Sequence, residues 1–117
     1  MYIATLVIPV PEAKLDAYRQ WAERSAAVFR AHGCLEVVDG WQDNVPRGRN
    51  TDFFRAVDAR EGEKIAVSWQ VWPDKASLDA AEEVMHVDGS LDFEGEIPFD
   101  PTRLIVGCFE TIQVSGR

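Results

Sequence analysis

Two histidines, a few carboxylates near one arginine, and four tryptophans are the residues of this 117-residue chain that could do chemistry. His32 stands directly before Gly33, at the end of an amphipathic stretch. A protonated imidazole there suits the negative end of a helix dipole, so capping outranks catalysis. His86 falls late in a second helical stretch, where a surface histidine is the favoured reading. Glu36, Asp39 and Asp43 lie on or just after one β-rich segment, and Arg55 lies on the next. If those segments pair, Arg55 can grip one of the carboxylates with both arms of its guanidinium. The structural version is an ion pair tying down the loop 43–52, and it ranks first. The functional version makes the pair a polar fixture at a cleft mouth walled by Trp41 and Trp69. Tryptophans serve equally in a core or a subunit interface, and the core reading ranks above the cleft. The candidate ligand-binding set is therefore His32, Glu36, Trp41, Asp43, Arg55 and Trp69, with no catalytic residue assigned.

Other chemistries find no foothold. No second His, Cys or carboxylate falls at metal-ligand spacing, so neither a metal nor a cofactor is expected. Nucleophile-elbow and phosphate-binding glycine motifs are missing from the sequence; Gly48 and Gly62 are isolated turn residues. Cys34 and Cys108 are too few for a disulfide framework, which predicts a cytoplasmic protein with reduced thiols. Twelve basic against twenty acidic residues leave a formal charge of -8, a field that repels nucleic-acid backbones and anionic membranes. The first residues carry no signal peptide or membrane span. With 46% hydrophobic and 27% charged residues, the composition is that of one folded domain spanning 1–117.

The elements that must position these residues can be read in order. Tyr2 to Ile8 is apolar at nearly every position, as in a strand covered on both faces, and Pro9 and Pro11 should end it. A helix from about Glu12 to His32 carries Leu15, Tyr18, Ala22, Ala26 and Phe29 as one stripe, with Gly33 supplying a left-handed stop. Cys34–Gln42 is β-rich, 43–51 is a loop, and Phe53–Val57 resumes extended structure. Lys64–Trp72 alternates cleanly: Ile65, Val67, Trp69 and Val71 point one way and Ala66, Ser68 and Gln70 the other. Pro73-Asp74 opens a second helix with Asp74 as N-cap and Leu78, Ala81 and Met85 as its inner stripe. A loop covers 90–102, and Arg103–Val114 is the last strand. The order β-α-β-β-α-β predicts a ferredoxin-like α+β sandwich: an antiparallel sheet in order 4-1-3-2 with both helices on one face.

Such a sheet leaves one face bare, yet the first and last strands are apolar on both parities. The uncovered set would exceed the apolar patch that monomers ordinarily expose. Covering about 600 Å2 of it is worth on the order of 15 kcal/mol before association costs. A homodimer through sheet faces is the expected solution; a third layer from the 90–102 segment is its rival. The small, partly polar face of Ala66, Ser68 and Gln70 predicts a cavity between the two sheets.

The ordered set Pro9-Val10-Pro11, Lys14 to Tyr18, His32-Gly33, Leu35-Glu36, Val45-Pro46 with Gly48, Phe53, Arg55-Ala56-Val57, Ser68-Trp69, Pro98-Phe99-Asp100, Arg103 and Gly107 to Glu110 resembles the DUF1428 family of bacterial proteins, a branch of the dimeric α+β barrel superfamily. The resemblance covers nearly the whole chain and implies a fold and a dimer without catalytic residues. The family pattern near the end is Gly-Gly-Phe-Glu where this chain has Gly107-Cys108-Phe109-Glu110, and His86 occupies a position expected to be small. Neither Cys108 nor His86 is thus a shared functional group. The leading expectation is a small cytoplasmic homodimer that holds a small organic ligand between its sheets. Wider relatives imply two alternatives. One is a cofactor-free monooxygenase or isomerase on an aromatic substrate, with His32, Glu36 or Asp43 as proton acceptor. The other is a haem-handling protein, with His86 on the iron and Trp69 against the macrocycle.

Overall fold

Residues 1–89 and 97–116 are described by a computed structural model. Tyr2–Pro11 forms β1, which pairs antiparallel with β3 (Glu63–Trp72) on one side and β4 (Ile105–Glu110) on the other. β2 (Glu36–Trp41) pairs antiparallel with the far edge of β3. The sheet order is β2-β3-β1-β4, the expected 4-1-3-2 order taken from the opposite edge.

β1 continues through both prolines instead of ending at Ile8. Its pairing with β4 stops at Val7, while its pairing with β3 runs on to Pro11. The Glu12 N–H donates to the Gly62 carbonyl at 2.8 Å, so even-numbered residues here turn their amides toward β3. Pro9 and Pro11, of odd parity, turn theirs toward the side β4 has left, where a missing N–H costs no ladder bond.

A 3-10 turn, Glu12–Lys14, leads into α1 (Leu15–Ala31), whose buried positions are Tyr18, Ala22 and Ser25. The helix ends as its sequence predicts: His32 is the C-cap and Gly33 sits at φ 105°, a conformation that glycine adopts without penalty. The second predicted helix is α3 (Lys75–Asp88), capped by Asp74, whose side chain accepts from the Ser77 amide at 2.7 Å. Leu78, Ala81 and Met85 are its buried stripe. Between these helices the expectation of an extended 53–57 segment fails. Phe53–Ala56 is a single helical turn, α2, because Asp52 accepts from the Arg55 amide at 2.8 Å and nucleates it. The last strand is also shorter than Arg103–Val114. Arg103 is drawn into an ion pair before the strand begins, and the regular pairing ends at Glu110, with Thr111 still donating its amide to the Met1 carbonyl at 3.3 Å. Of the expected 90–102 loop, 90–96 lies outside the described residues.

Both helices lie on one sheet face and the core lies between them. Ala4, Trp72, Leu78, Ala81 and Met85 form one cluster beneath α3; Ile8, Val10, Tyr18, Ala22, Ala66 and Phe99 form another beneath α1. The register fixes which parity this is. Leu6 opposes Ser68 and Val106, and Asp39 also opposes Ser68. Ala66, Ser68 and Gln70 therefore lie under the helices, and the expectation that they line an inter-sheet space is corrected. The other parity carries Ile3, Val7, Val67, Trp69, Ile105 and Phe109. The middle of this face is open, with Trp69 41% exposed, Ile105 44% and Phe109 57%, whereas Ile65 and Val71 of the same parity are buried and Thr111, Gln113 and Val114 line one space with Trp69 and Val71. Phe99, the described aromatic of the 97–104 segment, enters the helix-side core, so the rival third layer gains nothing from it.

The 97–104 segment is fixed by Arg103. Its guanidinium reaches the two Glu63 carboxylate oxygens at 2.7 and 2.6 Å, Asp100 at 3.1 Å and the Asp58 carbonyl at 3.0 Å. The Arg103 and Glu63 side chains are nearly buried, so the charge-assisted bonds act with little screening. No helix among the described residues is long and apolar enough to cross a membrane.

Candidate functional site

Three concave spaces lie in a row between the helices and the sheet. A groove of about 460 Å3 opens at the β2 edge and is lined by Tyr18, Ala22, Asp39 and Trp41, with Arg19 and Glu23 on its lip. A narrow cavity of about 50 Å3 lies beneath α1 and is lined by Asp39, Ser68, Gln70 and Phe29 among others. A third space of about 490 Å3 lies beside α3 and takes in Phe29, Gln70, Glu82, His86 and Cys108. Asp39 joins the first two, and Gln70 and Phe29 join the second and third. The space exists because the parity under the helices is small or polar at its centre: Ala4, Ala66, Ser68 and Gln70 cannot fill the gap that helix packing sets.

Asp39 is the carboxylate of β2 that shares the helix-facing parity. Burial pushes its carboxyl above the ordinary value, and a hydrogen bond from Ser68 only partly offsets this. Asp39 is nonetheless an exposed residue, so its desolvation is partial and the carboxylate meets solvent through the mouth of the groove. Tyr18, from α1, is 4% exposed and its ring sits among Trp21, Trp41 and Phe99 at centroid distances of 5.9, 6.1 and 6.1 Å. Its hydroxyl has no hydrogen-bond partner among the described residues. Burial, then the nearby Asp39 charge, pushes its pKa upward and keeps the phenol protonated. An unpaired buried hydroxyl costs about 1–3 kcal/mol. Gln70, also buried, accepts from the Trp72 indole at 2.9 Å, which fixes its amide beneath the helices.

The six residues expected to bind a ligand are dispersed. Trp41 alone lines the helix-side groove. Trp69 is on the open face, so these two tryptophans are on opposite sides of the sheet and share no cleft. Glu36 opposes Val71 on the open-face parity. Asp43 follows β2 and is exposed. Arg55 pairs with Asp52, Nε to Oδ2 3.7 Å, and donates to the Arg49 carbonyl at 3.3 Å; its expected partner on β2 is corrected, because a helical turn carries its side chain away from that strand. His32 closes α1: its Nδ1 lies 2.8 Å from the Val28 carbonyl and its Nε2 3.7 Å from Asp88. His86 lines the α3-side space, but Trp69 lies across the sheet from it, which removes the second half of the haem analogy. Cys34 and Cys108 are free thiols. Among the described residues no three His, Cys, Asp or Glu side chains gather at one point.

The residues that sequence reasoning left out of the site are Tyr18, Ser68 and Gln70; Asp39 entered it only as a partner for Arg55. A signal for Asp39 existed. It alternates with Val37 and Trp41, so a carboxylate shares the parity of two apolar residues.

This architecture, a four-stranded antiparallel sheet with α1 and α3 on one face, is a ferredoxin-like α+β fold. The chain belongs to the family described as "Protein of unknown function (DUF1428)", which matches residues 1–101. It is 42% identical over 112 residues to the "Uncharacterized protein YbaA" of Escherichia coli strain K12, covering 95% of this chain and 96% of that one. Among solved structures it superposes on a mutant of MhuD with two manganese protoporphyrin IX bound per active site, at TM-score 0.62 and 14% identity over 100% of both chains. It also superposes on Rv0793 from Mycobacterium tuberculosis, at TM-score 0.51 and 14% identity, covering 99% and 100% of the two chains. At that identity the likeness is one of fold.

Proposed function

We propose that this chain is a small cytoplasmic homodimer that binds a small organic molecule in each subunit, between the helix layer and the sheet, at the Asp39 end of the row of cavities. The observation that carries the ligand site is Asp39 itself: a partly desolvated carboxylate lining the same groove as Tyr18, whose hydroxyl has no partner among the described residues, at the junction of a groove and a cavity. Folded chains rarely keep such a pair without a use for it. A groove of about 460 Å3 is in the range that holds small ligands. Thermal-shift screening of the full chain against a panel of small organic molecules tests the site. Binders should raise Tm for the wild type and not for Asp39→Ala; a panel with no effect on the wild type removes the ligand site and leaves assembly alone.

Dimerisation rests on the open parity, where Trp69, Ile105 and Phe109 stand exposed on adjacent strands. A patch of this kind is covered when a second copy presents the same face across a two-fold axis. The cytoplasm suits the two free thiols. Nucleic acid and membranes remain poor partners for a chain of formal charge -8.

A second reading, enzymatic, draws on the raised pKa of Asp39. A carboxylate poised upward can withdraw a proton from an activated C–H or O–H, as cofactor-free oxygenation or isomerisation of an aromatic substrate requires. Turnover of any binder from the screen, lost in Asp39→Asn, would favour it. The haem alternative keeps His86 and the space of about 490 Å3 beside α3; an unchanged Soret band on adding haem would end it.

A further inference from the structure

We infer that the groove at the β2 edge is built for a neutral, planar amide or lactam. The ligand's carbonyl oxygen accepts from the Tyr18 hydroxyl and its N–H donates to the Asp39 carboxylate. The inference deepens the ligand-site reading above and rests on it. Three independent features of the site meet in this chemistry.

The first is the donor. Tyr18 is 4% exposed, and its hydroxyl lacks a partner among the described residues. Because burial and the Asp39 charge keep it protonated, it is a donor left without an acceptor among the described residues, which an incoming acceptor would satisfy. The second is the acceptor. Asp39 lines the same groove, and Ser68 engages only part of its lone-pair capacity. The third is shape. The rings of Tyr18 and Trp41 lie 6.1 Å apart at 43°, and Leu15 and Ala22 complete an apolar wall on the helix side. A flat body with an acceptor next to a donor on one edge meets all three.

The same features reject other classes. A carboxylate ligand would find the Tyr18 hydroxyl and, on the lip, Arg19, but it would set a second negative charge against Asp39 with no donor to offer it. A flat ketone would satisfy Tyr18 and leave Asp39 with a desolvated lone pair. A hydrocarbon would leave both groups unpaired, and sites built for hydrogen bonding discriminate strongly against analogues that lack the groups.

Titration of the 15N-labelled full chain at pH 7 with benzamide, acetophenone and benzoate tests this, read at the backbone amides of Asp39 and Trp41 and at the Trp41 indole. Benzamide should give saturable shifts, acetophenone should bind at least about five-fold more weakly, and benzoate should leave these signals unmoved. Tyr18→Phe should weaken benzamide about five-fold, the worth of one hydrogen bond, while leaving Tm unchanged or higher, because it removes an unpaired buried hydroxyl. Unchanged benzamide affinity in Tyr18→Phe, or a lowered Tm, overturns the role of the hydroxyl. Benzoate binding as tightly as benzamide overturns the amide class and leaves the site standing. Absence of saturable shifts at Asp39 and Trp41 with all three compounds overturns the site and the inference together.

Discussion

The two faces of this sheet distribute their side chains differently. Under the helices, a small and polar patch of Ala4, Ala66, Ser68, Gln70 and Asp39 lies within a frame of Leu6, Ile8, Val10 and Trp72; on the other side the centre is Ile3, Val7, Val67, Trp69 and Phe109. Both faces carry large apolar side chains, and the helix side alone sets a polar patch among them. The difference makes sense if each face meets a different partner: the open one a second protein surface, and the covered one helices that stop short of closing over a small molecule. On the proposed reading, hydrophobicity drives assembly on one face, and incomplete packing makes room for recognition on the other.

The largest change should come from the covered face. Trp72 is fully buried in the cluster beneath α3, so Trp72→Ala should cost about 3–5 kcal/mol, read as a collapse of the urea midpoint. Next is the clamp that holds the 97–104 segment against that face. Arg103→Met strands Glu63 in a nearly buried setting and should cost about 3 kcal/mol. Its pH dependence has a definite sign. Hydrogen bonds from Arg103 hold Glu63 below its ordinary 4.5, and those from Thr102 and Arg103 hold Asp100 at about 2, below its ordinary 3.8. Carboxyls with lowered folded-state pKa values stabilise the protein at neutral pH, and lose that contribution as pH falls from about 4.5 toward 2. Urea midpoints should drop across that window in the wild type and much less in Arg103→Met; equal slopes in both would break the assignment.

The open face should respond differently. Trp69→Asp should leave the fold and Tm of the subunit largely intact. It should weaken self-association by at least about 30-fold, the effect of losing one interface hot spot, seen by sedimentation at micromolar concentration. If this variant unfolds instead, the contrast between the faces is wrong. The smallest effect belongs to Asp39→Asn. Because burial raises the Asp39 pKa, its ionised form opposes folding at neutral pH and the opposition fades as pH falls. The neutral variant should therefore gain slightly in Tm at pH 7 and nothing at pH 4, opposite in sign to the Glu63 and Asp100 behaviour.

Much of the fold was legible residue by residue. Asp74 before a stripe of Leu78, Ala81 and Met85 announces a helix, Gly33 after His32 ends one, and the alternation of Lys64–Trp72 marks a strand. These signals are local: caps and periodicities act within a few residues of the chain. Phe53–Val57 misled because its aromatic, β-prone residues outweigh a single Asp52 cap, and one turn of helix shows no periodicity. The candidate site was less legible still. Trp41 lines the groove, but Trp69, its expected companion, lies an odd number of pairing steps away on the neighbouring strand and belongs to the opposite face. Arg55 has no place opposite β2 because its segment is a helical turn and not a strand. Tyr18 looked like any stripe residue, since nothing in a helix pattern distinguishes a satisfied hydroxyl from an unpaired one.

Sequence determined the element order, the strand pairing and the presence of two apolar parities, because a period of two separates the side chains of a strand whatever surrounds it. Tertiary structure decided which parity the helices cover. That choice depends on how connections twist and where helices land, quantities summed over the whole chain. It set Asp39, Ser68 and Gln70 on the helix side of the sheet, and left Trp69 and Phe109 on the other.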